Sequence, residues 1–432
     1  RFGFFPSFAV GWVVSNENFL KGNKVITNLK LRASYGKVGS DKIGNNRFLY
    51  LDNHTYSASG GVAVGGYGTI NENRPGNYNL QWEVSKKQNY GIDLQLWSDW
   101  SITFDYFIEQ RSKILKTQGM APQFAGVPQW PYLNLGVVDN SGYELEINYN
   151  KSFNKDLFLS VKGNFSYNHN KVKFWDEVPY ADGYYYQYRT TGQSLNQTFG
   201  YKIDWSNGNG YFNTQEELDK YTEGYVDENG VEHKGITYNL STAPLLGDFK
   251  YIDQNGDGII DEKDRVPIGY TNVPRVSYGL NVSLNYKWFD FTVFLQGVGK
   301  YSSYYSGQGV NENIYQGTFF KYHKTAWTAE RYAAGQKITY PRLSTGETCS
   351  KIQNDFFVMD RAFIRLKAIE LGYTLPSNAL RAIGINKLRV YFRGDNLVTW
   401  DRLRTSTTDP EQTDQIGYPI VKTFNFGFNV TF

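Results

Sequence analysis

Apolar and polar side chains alternate along most of this 432-residue chain. Val276, Tyr278, Leu280, Val282, Leu284 and Tyr286 interleave with Ser277, Gly279, Asn281, Ser283, Asn285 and Lys287. Leu157, Leu159 and Val161 interleave with Ser160 and Lys162. Ile102, Phe104, Tyr106 and Ile108 stand against Thr103, Asp105 and Glu109. Phe424, Phe426, Phe428, Val430 and Phe432 alternate with Thr423, Asn425, Gly427, Asn429 and Thr431. A period of two is that of a strand with one face in an apolar medium and the other in a polar one. Eleven such stretches are expected, at about 2–14, 28–40, 82–97, 100–113, 138–150, 156–170, 275–287, 289–300, 356–373, 387–399 and 419–432. Many exceed the five or six residues usual in globular sheets. Tilted strands of about ten residues suit a bilayer. The expected class is therefore all-β, a transmembrane antiparallel β-barrel. Within 356–373 the apolar phase switches between Leu366 and Ile369, which predicts a bulge. No run approaches the ~18 apolar residues of a membrane helix, which excludes a helical membrane protein but not a barrel.

The connections alternate between short and long. Short turns are expected at Ser98-Asp99, Lys151 to Lys155, Trp288 and Ser377 to Ile385, with 15–27 intermediate. Long connections cover 41–81, 114–137, 171–274, 301–355 and 400–418. Outer-membrane barrels sort their loops in this way, with the long ones extracellular. The last strand leaves a long loop and the first leads into the 15–27 turn, so both are expected to run from outside to periplasm, as an odd strand count requires. Eleven strands leave two unpaired edges, which a barrel in lipid does not tolerate, so partner strands are expected from elsewhere. Arg1-Phe-Gly-Phe-Phe-Pro-Ser-Phe8 reads as the inside of a strand, so the chain is expected to be a piece of a longer polypeptide.

Composition narrows the function. A net charge of +3 does not suggest nucleic acid as a partner. One cysteine, Cys349, excludes a disulfide framework and a thiolate metal site. His54, His169, His233 and His323 lack metal-ligand spacing, and no nucleophile elbow or phosphate loop occurs. No catalytic residue is singled out.

The sharpest local motif is Asp253-Gln-Asn255-Gly-Asp257-Gly258-Ile259-Ile260-Asp261-Glu-Lys-Asp264. It follows the pattern of a calcium loop. Asp253, Asn255 and Asp257 offer oxygens, Gly258 permits the sharp turn, Ile259 offers its carbonyl, and Asp261 and Asp264 complete the candidate set. Asp264 stands where Glu is usual, which shortens the last ligand. A structural Ca2+ fixing an extracellular loop is expected. The alternative is a loop of Asx turns without metal.

The longest connection carries Trp175, Tyr180 and the run Tyr184, Tyr185, Tyr186 and Tyr188. Such rings stack on sugars, pack on a partner, or pack the loop on itself. Trp130 invites the same readings, with packing favoured. Gly60 to Gly68 reads as a mobile loop. Trp97, Trp100, Trp288, Phe289 and Trp400 fall near strand ends and suit interfacial girdles against outer-membrane lipid.

Several segments resemble the C-terminal half of SusC/RagA-type TonB-linked outer-membrane transporters. They are Arg1-Phe-Gly-Phe-Phe-Pro-Ser-Phe-Ala-Val-Gly-Trp12, Asn28-Leu-Lys-Leu-Arg-Ala-Ser-Tyr-Gly36, Asn79-Leu-Gln-Trp-Glu83 and Gly247-Asp-Phe-Lys-Tyr251 running into the calcium-like loop. Further on come Asp264-Arg265, Phe363-Ile-Arg-Leu-Lys-Ala-Ile-Glu-Leu-Gly-Tyr373, Asn396-Leu-Val-Thr-Trp400 and Asp409-Pro-Glu411. The ordered set spans nearly the whole chain. The alternation ending in Phe432 is similar to the signal by which such barrels are recognised for insertion. The resemblance implies a 22-stranded barrel around an N-terminal plug, with these eleven strands as its second half. It places the plug, the TonB-contacting segment and the first half of the barrel outside this sequence. It further implies import of oligosaccharides or peptides, a SusD-like surface lipoprotein as lid, and energy from the TonB complex.

Active import is thus the leading expectation. A passive porin or surface glycan-binding barrel is the second. A secreted, calcium-stabilised carbohydrate-binding β protein or glycosidase is the third.

Overall fold

The computed structural model describes residues 3–42, 47–57, 69–117, 129–177, 189–307, 310–312, 319–376, 384–404, 408–412 and 417–432. Eleven strands form one antiparallel sheet in chain order. They are β1 (Ser7–Val13), β2 (Ile26–Ser40), β3 (Glu83–Leu96), β4 (Trp100–Thr117), β5 (Tyr132–Asn154), β6 (Leu157–Phe174), β7 (Val276–Tyr286), β8 (Phe289–Gly299), β9 (Phe363–Thr374), β10 (Lys387–Asp401) and β11 (Thr423–Thr431). Every expected stretch is a strand, and the ends differ. β1 starts after Pro6, which has no N–H to give to a ladder. β5 is far longer than expected, reaching 23 residues. β9 starts at Phe363, not near 356, because Phe356 to Met359 are drawn into a dry core, where Val358–Asp360 pairs instead with Ser302–Tyr304. The expected bulge is present: pairing with both neighbours of β9 skips Lys367, between Leu366 and Ala368.

The chain divides into two compact units, the first holding β1 to β5, the second β7 to β11. In the first unit the register aligns Trp12, Leu31, Ile92, Phe104 and Leu145 in one row, and Val10, Ala33, Tyr90, Tyr106 and Tyr143 in another. Many of these rings and branched chains are solvent-exposed, Val10 at 71%. The opposite face is polar. Arg32 there bonds Asp93 at 2.9 Å and Asp105 at 3.0 Å.

The second unit repeats the scheme. Leu284, Phe291, Leu371, Phe392 and Phe426 share a row on the apolar face. On that face Gly297 lies opposite Tyr278, whose ring fills the place of a Cβ at 2.4 Å. The other face carries Arg389 on Asp290 (2.9 Å) and Glu370 (2.6 Å), and Arg393 on Asp395 (2.9 Å). Trp97, Trp100, Trp288, Phe289 and Trp400 are all exposed near strand ends, not packed in a core.

The second unit's dry core lies off the sheet, in the segments between β6 and β7 and between β8 and β9. Tyr201, Ile203, Tyr211, Phe249, Tyr251, Ile260, Tyr340, Phe356 and Phe357 meet there. Regular elements among the described residues are few: a helix of nine residues (Gln215–Glu223), capped by Thr214, another of five (Ala329–Ala333), capped by Thr328, short 3-10 turns, and strand pairs of two or three residues. Irregular backbone leaves many polar groups to satisfy, and tyrosine does so while filling volume. The Tyr251 hydroxyl donates to the Cys349 carbonyl at 2.8 Å and the Tyr238 hydroxyl to the Phe249 carbonyl at 3.1 Å. Asn354, fully buried, accepts from the amides of Phe356 and Phe357 and donates to Tyr251 and to the Ser350 carbonyl. The abundance of tyrosine in the sequence is in part this requirement.

Candidate functional site

The calcium-like loop is ordered by its own side chains. Asp253 accepts from the amides of Gly256 (2.7 Å) and Gly258 (2.8 Å). Asn255 accepts from Asp257 N at 3.0 Å, and Asp257 from Ile259 N at 2.9 Å. Asp261 caps Lys263 N at 2.8 Å. Asp264 accepts from Gln254 N (2.7 Å) and Asp261 N (2.8 Å). Gly256 and Gly258 take φ of +73° and +81°, which side-chain-bearing residues rarely adopt. Ile259–Ile260 pairs in parallel with Thr237–Tyr238, and Ile260 is buried in the core, so the loop is anchored. All six predicted ligands therefore lie on one short turn.

The donor set is entirely oxygen, the chemistry a hard cation takes. Each of these bonded oxygens spends one lone pair on an amide and keeps a second. Asp264 is fully buried, and desolvation pushes its carboxyl up to about 6, with the like charges of Asp253 and Asp261 adding to the rise against two amide bonds. Among the described residues, no three His, Cys, Asp or Glu side chains converge at metal-holding distance. The hydrogen bonds present are those of an Asx-turn ladder, and the donor set remains compatible with calcium.

Of the aromatic candidates, Tyr180, Tyr184, Tyr185, Tyr186 and Tyr188 lie outside the described residues, as does Gly60 to Gly68. Trp175 is described. Its carbonyl accepts from the Lys116 ammonium, which also sits 5.2 Å from its ring centroid, and its ring packs at Gly136. Trp130 is half-buried.

Sequence reasoning missed a cavity in the second unit. It holds about 400 Å³ and is bordered by Trp205, Tyr211, Tyr322, Tyr340, Phe356 and Arg404. The residues come from four distant segments, so no local pattern announces it. Arg404 follows β10 and lays its guanidinium over the Phe356 ring, 4.7 Å from the centroid, donating to the Phe356 carbonyl at 3.1 Å. It stays accessible to solvent, yet the surrounding wall is dense enough that desolvation pulls its pKa down, against the opposite pull of Asp355. An accessible cation in a concave apolar setting is an anion-binding feature.

Nearby, Arg365 and Arg361 hold the segment 408–412. Arg365, 1% exposed, forks onto Asp409 and reaches Glu411, while Arg361 donates to the carbonyls of Pro410 (2.9 Å) and Gln412 (2.7 Å). The Asp409-Pro-Glu411 motif is thus a strap fastened to the start of β9.

No family model matches the chain. Over its whole length it is 29% identical to a TonB-dependent receptor of Formosa agariphila, of which it covers 42%. It is 28% identical over its whole length to the TonB-dependent receptor SusC of Bacteroides thetaiotaomicron, of which it covers 40%. The chain therefore spans well under half the length of these curated relatives. Its fold matches that of the RagAB peptide transporter with a TM-score of 0.70 at 20% identity, over 99% of this chain and 43% of that one. Sequence and fold together match this chain, along its whole length, to the C-terminal part of SusC/RagA-type TonB-dependent receptors.

Proposed function

We propose that this chain is part of an outer-membrane active importer for oligosaccharides or peptides, energised through TonB and served by a SusD-like surface lipoprotein as lid. The observation that carries the reading is the two-faced sheet. One face exposes continuous rows of apolar side chains, as lipid requires, and the other carries ion-paired charge, as a water-filled or plugged interior requires. The loops 41–81, 114–137, 171–274, 301–355 and 400–418 then face the outside, and within the second unit the dry core gives the segments 196–274 and 301–355 a rigid scaffold for binding. Transport needs movement of the protein and breaks no bond in the substrate, so the reading is not an enzyme. The similar proteins support it by their names, TonB-dependent receptors and a peptide transporter.

The test is uptake of labelled oligosaccharides and oligopeptides by cells with and without the complete protein, in backgrounds with and without TonB. Uptake that needs both supports active import. Uptake that needs the protein but persists without TonB supports a passive porin.

Within this reading the loop from Asp253 to Asp264 is a structural calcium site. Asp253, Asn255, Asp257, the Ile259 carbonyl, Asp261 and Asp264 would hold the ion once their oxygens turn inward and Lys263, now 3.4 Å from Asp257 and 3.8 Å from Asp261, gives way to it, and the ion would offset the charge that burial makes costly at Asp264.

A further inference from the structure

We propose that the cavity bordered by Trp205, Tyr211, Tyr322, Phe356 and Arg404 is a subsite for an apolar or aromatic group that carries a carboxylate beside it, as the C-terminal residue of a hydrophobic oligopeptide does. The proposal rests on the import reading and narrows its ligand.

The volume, about 400 Å³, lies in the range of small-molecule sites, roughly 300–1,000 Å³. The polar atoms of the wall decide what it can hold. The Tyr322 hydroxyl donates to the Val310 carbonyl, and the Tyr340 hydroxyl to Glu312 at 2.8 Å. Thr339 is bonded to Thr325. The Asn209 amide exchanges two bonds of 2.9 Å with Asn213, and its oxygen also accepts from Tyr211 N. The Trp205 N–H serves Asp355. These groups are committed to the protein. Arg404 has five N–H donors, and among the described residues one of them bonds the Phe356 carbonyl.

The wall therefore offers ring faces, the Tyr211 hydroxyl and one multidentate cation. A sugar brings hydroxyls on every side, and most of them would lose water without gaining a partner. An apolar side chain loses nothing by entering, and an adjacent carboxylate finds the fork of Arg404. The stack of Arg404 on Phe356 fixes the guanidinium plane, so the fork is oriented before a ligand arrives.

The experiment uses the complete protein purified from outer membranes in detergent. The probes are the tripeptide Ala-Ala-Phe, the same tripeptide as its C-terminal amide, and maltohexaose. Binding is read by calorimetry and by quenching of tryptophan emission, since Trp205 borders the cavity. The acid should bind at least tenfold more tightly than the amide. Arg404→Gln should bring the two within about twofold by weakening the acid alone, and Arg404→Lys should retain part of the preference. Ile338→Trp, which fills the cavity from its wall, should weaken acid and amide together. Each variant is compared only where it keeps the heat-modifiable mobility of the wild type, and the lysine variant serves if the glutamine variant does not. Equal binding of acid and amide, no binding of the acid at 1 mM, a preference that survives Arg404→Gln, or competition by maltohexaose overturns the subsite. If the subsite fails while TonB-dependent uptake of another nutrient persists, the import reading stands without it. If uptake is absent as well, that reading falls too.

Discussion

Arg32 on β2 reaches Asp105 on β4 at 3.0 Å by crossing over the intervening strand at Gly91. A Cβ on Gly91 would lie 2.6 Å from the guanidinium and 2.7 Å from the Asp105 carboxylate. The second unit contains the same arrangement: Arg389 on β10 reaches Asp290 on β8 across Gly372 on β9, where a Cβ would lie 2.5 Å from both. In both units a glycine on the polar face opens a path for an ion pair spanning three strands. Such pairs tie non-neighbouring strands together without help from an apolar core on that side.

Gly91→Val tests this device. The added methyls displace Arg32 from Asp105 and leave the carboxylate without its partner. We expect a loss of about 1–3 kcal/mol, as for overpacking elsewhere, read as a lower temperature for loss of heat-modifiable mobility. Unchanged mobility at every temperature removes the device from the account.

Leu280 and its register partner Leu295 stand on the apolar face of the second unit. Leu280→Arg places a charge where the account has lipid, at a cost of about 2–4 kcal/mol near mid-bilayer. Assembly into the outer membrane should fall sharply, while Asn281→Arg on the polar face is tolerated. Equal insertion of the two variants contradicts the assignment of faces.

His323 should give the second unit a pH response. Its Nδ1 accepts from Phe320 N at 3.0 Å and its Nε2 lies 2.9 Å from the Val310 carbonyl, so the neutral ring with its proton on Nε2 fits both bonds. Burial lowers its pKa below 6.5, against the Val310 carbonyl and Glu312, which raise it, and with Lys351, which lowers it further. A base depressed in the folded state contributes its full stability above the unfolded pKa of about 6.5 and loses it as pH falls below that value. Hydrogen exchange around 319–325 should therefore quicken as pH drops from 7 to 5, after correction for the intrinsic rate. His323→Gln, which cannot titrate there, should flatten the response, and a response that persists in it assigns the effect elsewhere.

Calcium should tighten the loop from Asp253 to Asp264. Chelation is expected to speed proteolysis within 240–270 and added calcium to reverse it, with Asp257→Ala indifferent to both. Identical cleavage with and without calcium leaves the Asx-turn ladder as the complete description of the loop.

The strands were legible because a period of two is local and repeats over ten or more residues, and even the bulge at Lys367 showed as a phase slip. Phe356 to Met359 misled because a short apolar run just before β9 reads as the start of a strand, yet these residues are held in the core, where Asn354 bonds the amides of Phe356 and Phe357. The fold of the long insertion was not legible. Its strands are two or three residues long, and its order comes from tyrosines bonding to carbonyls far away in sequence, as Tyr251 does to Cys349. The calcium-like turn was visible because its residues are contiguous. The cavity was not, since Trp205, Tyr322, Phe356 and Arg404 meet only after folding.

The central claim is that this sheet lies in the outer membrane as part of a larger barrel. Its most direct test is electrophoresis of the protein extracted from outer membranes, unboiled and boiled. The extracted protein should be a detergent-dependent, heat-modifiable species that contains these 432 residues and has at least twice their mass. A water-soluble monomer of 432 residues with the same β content contradicts that claim.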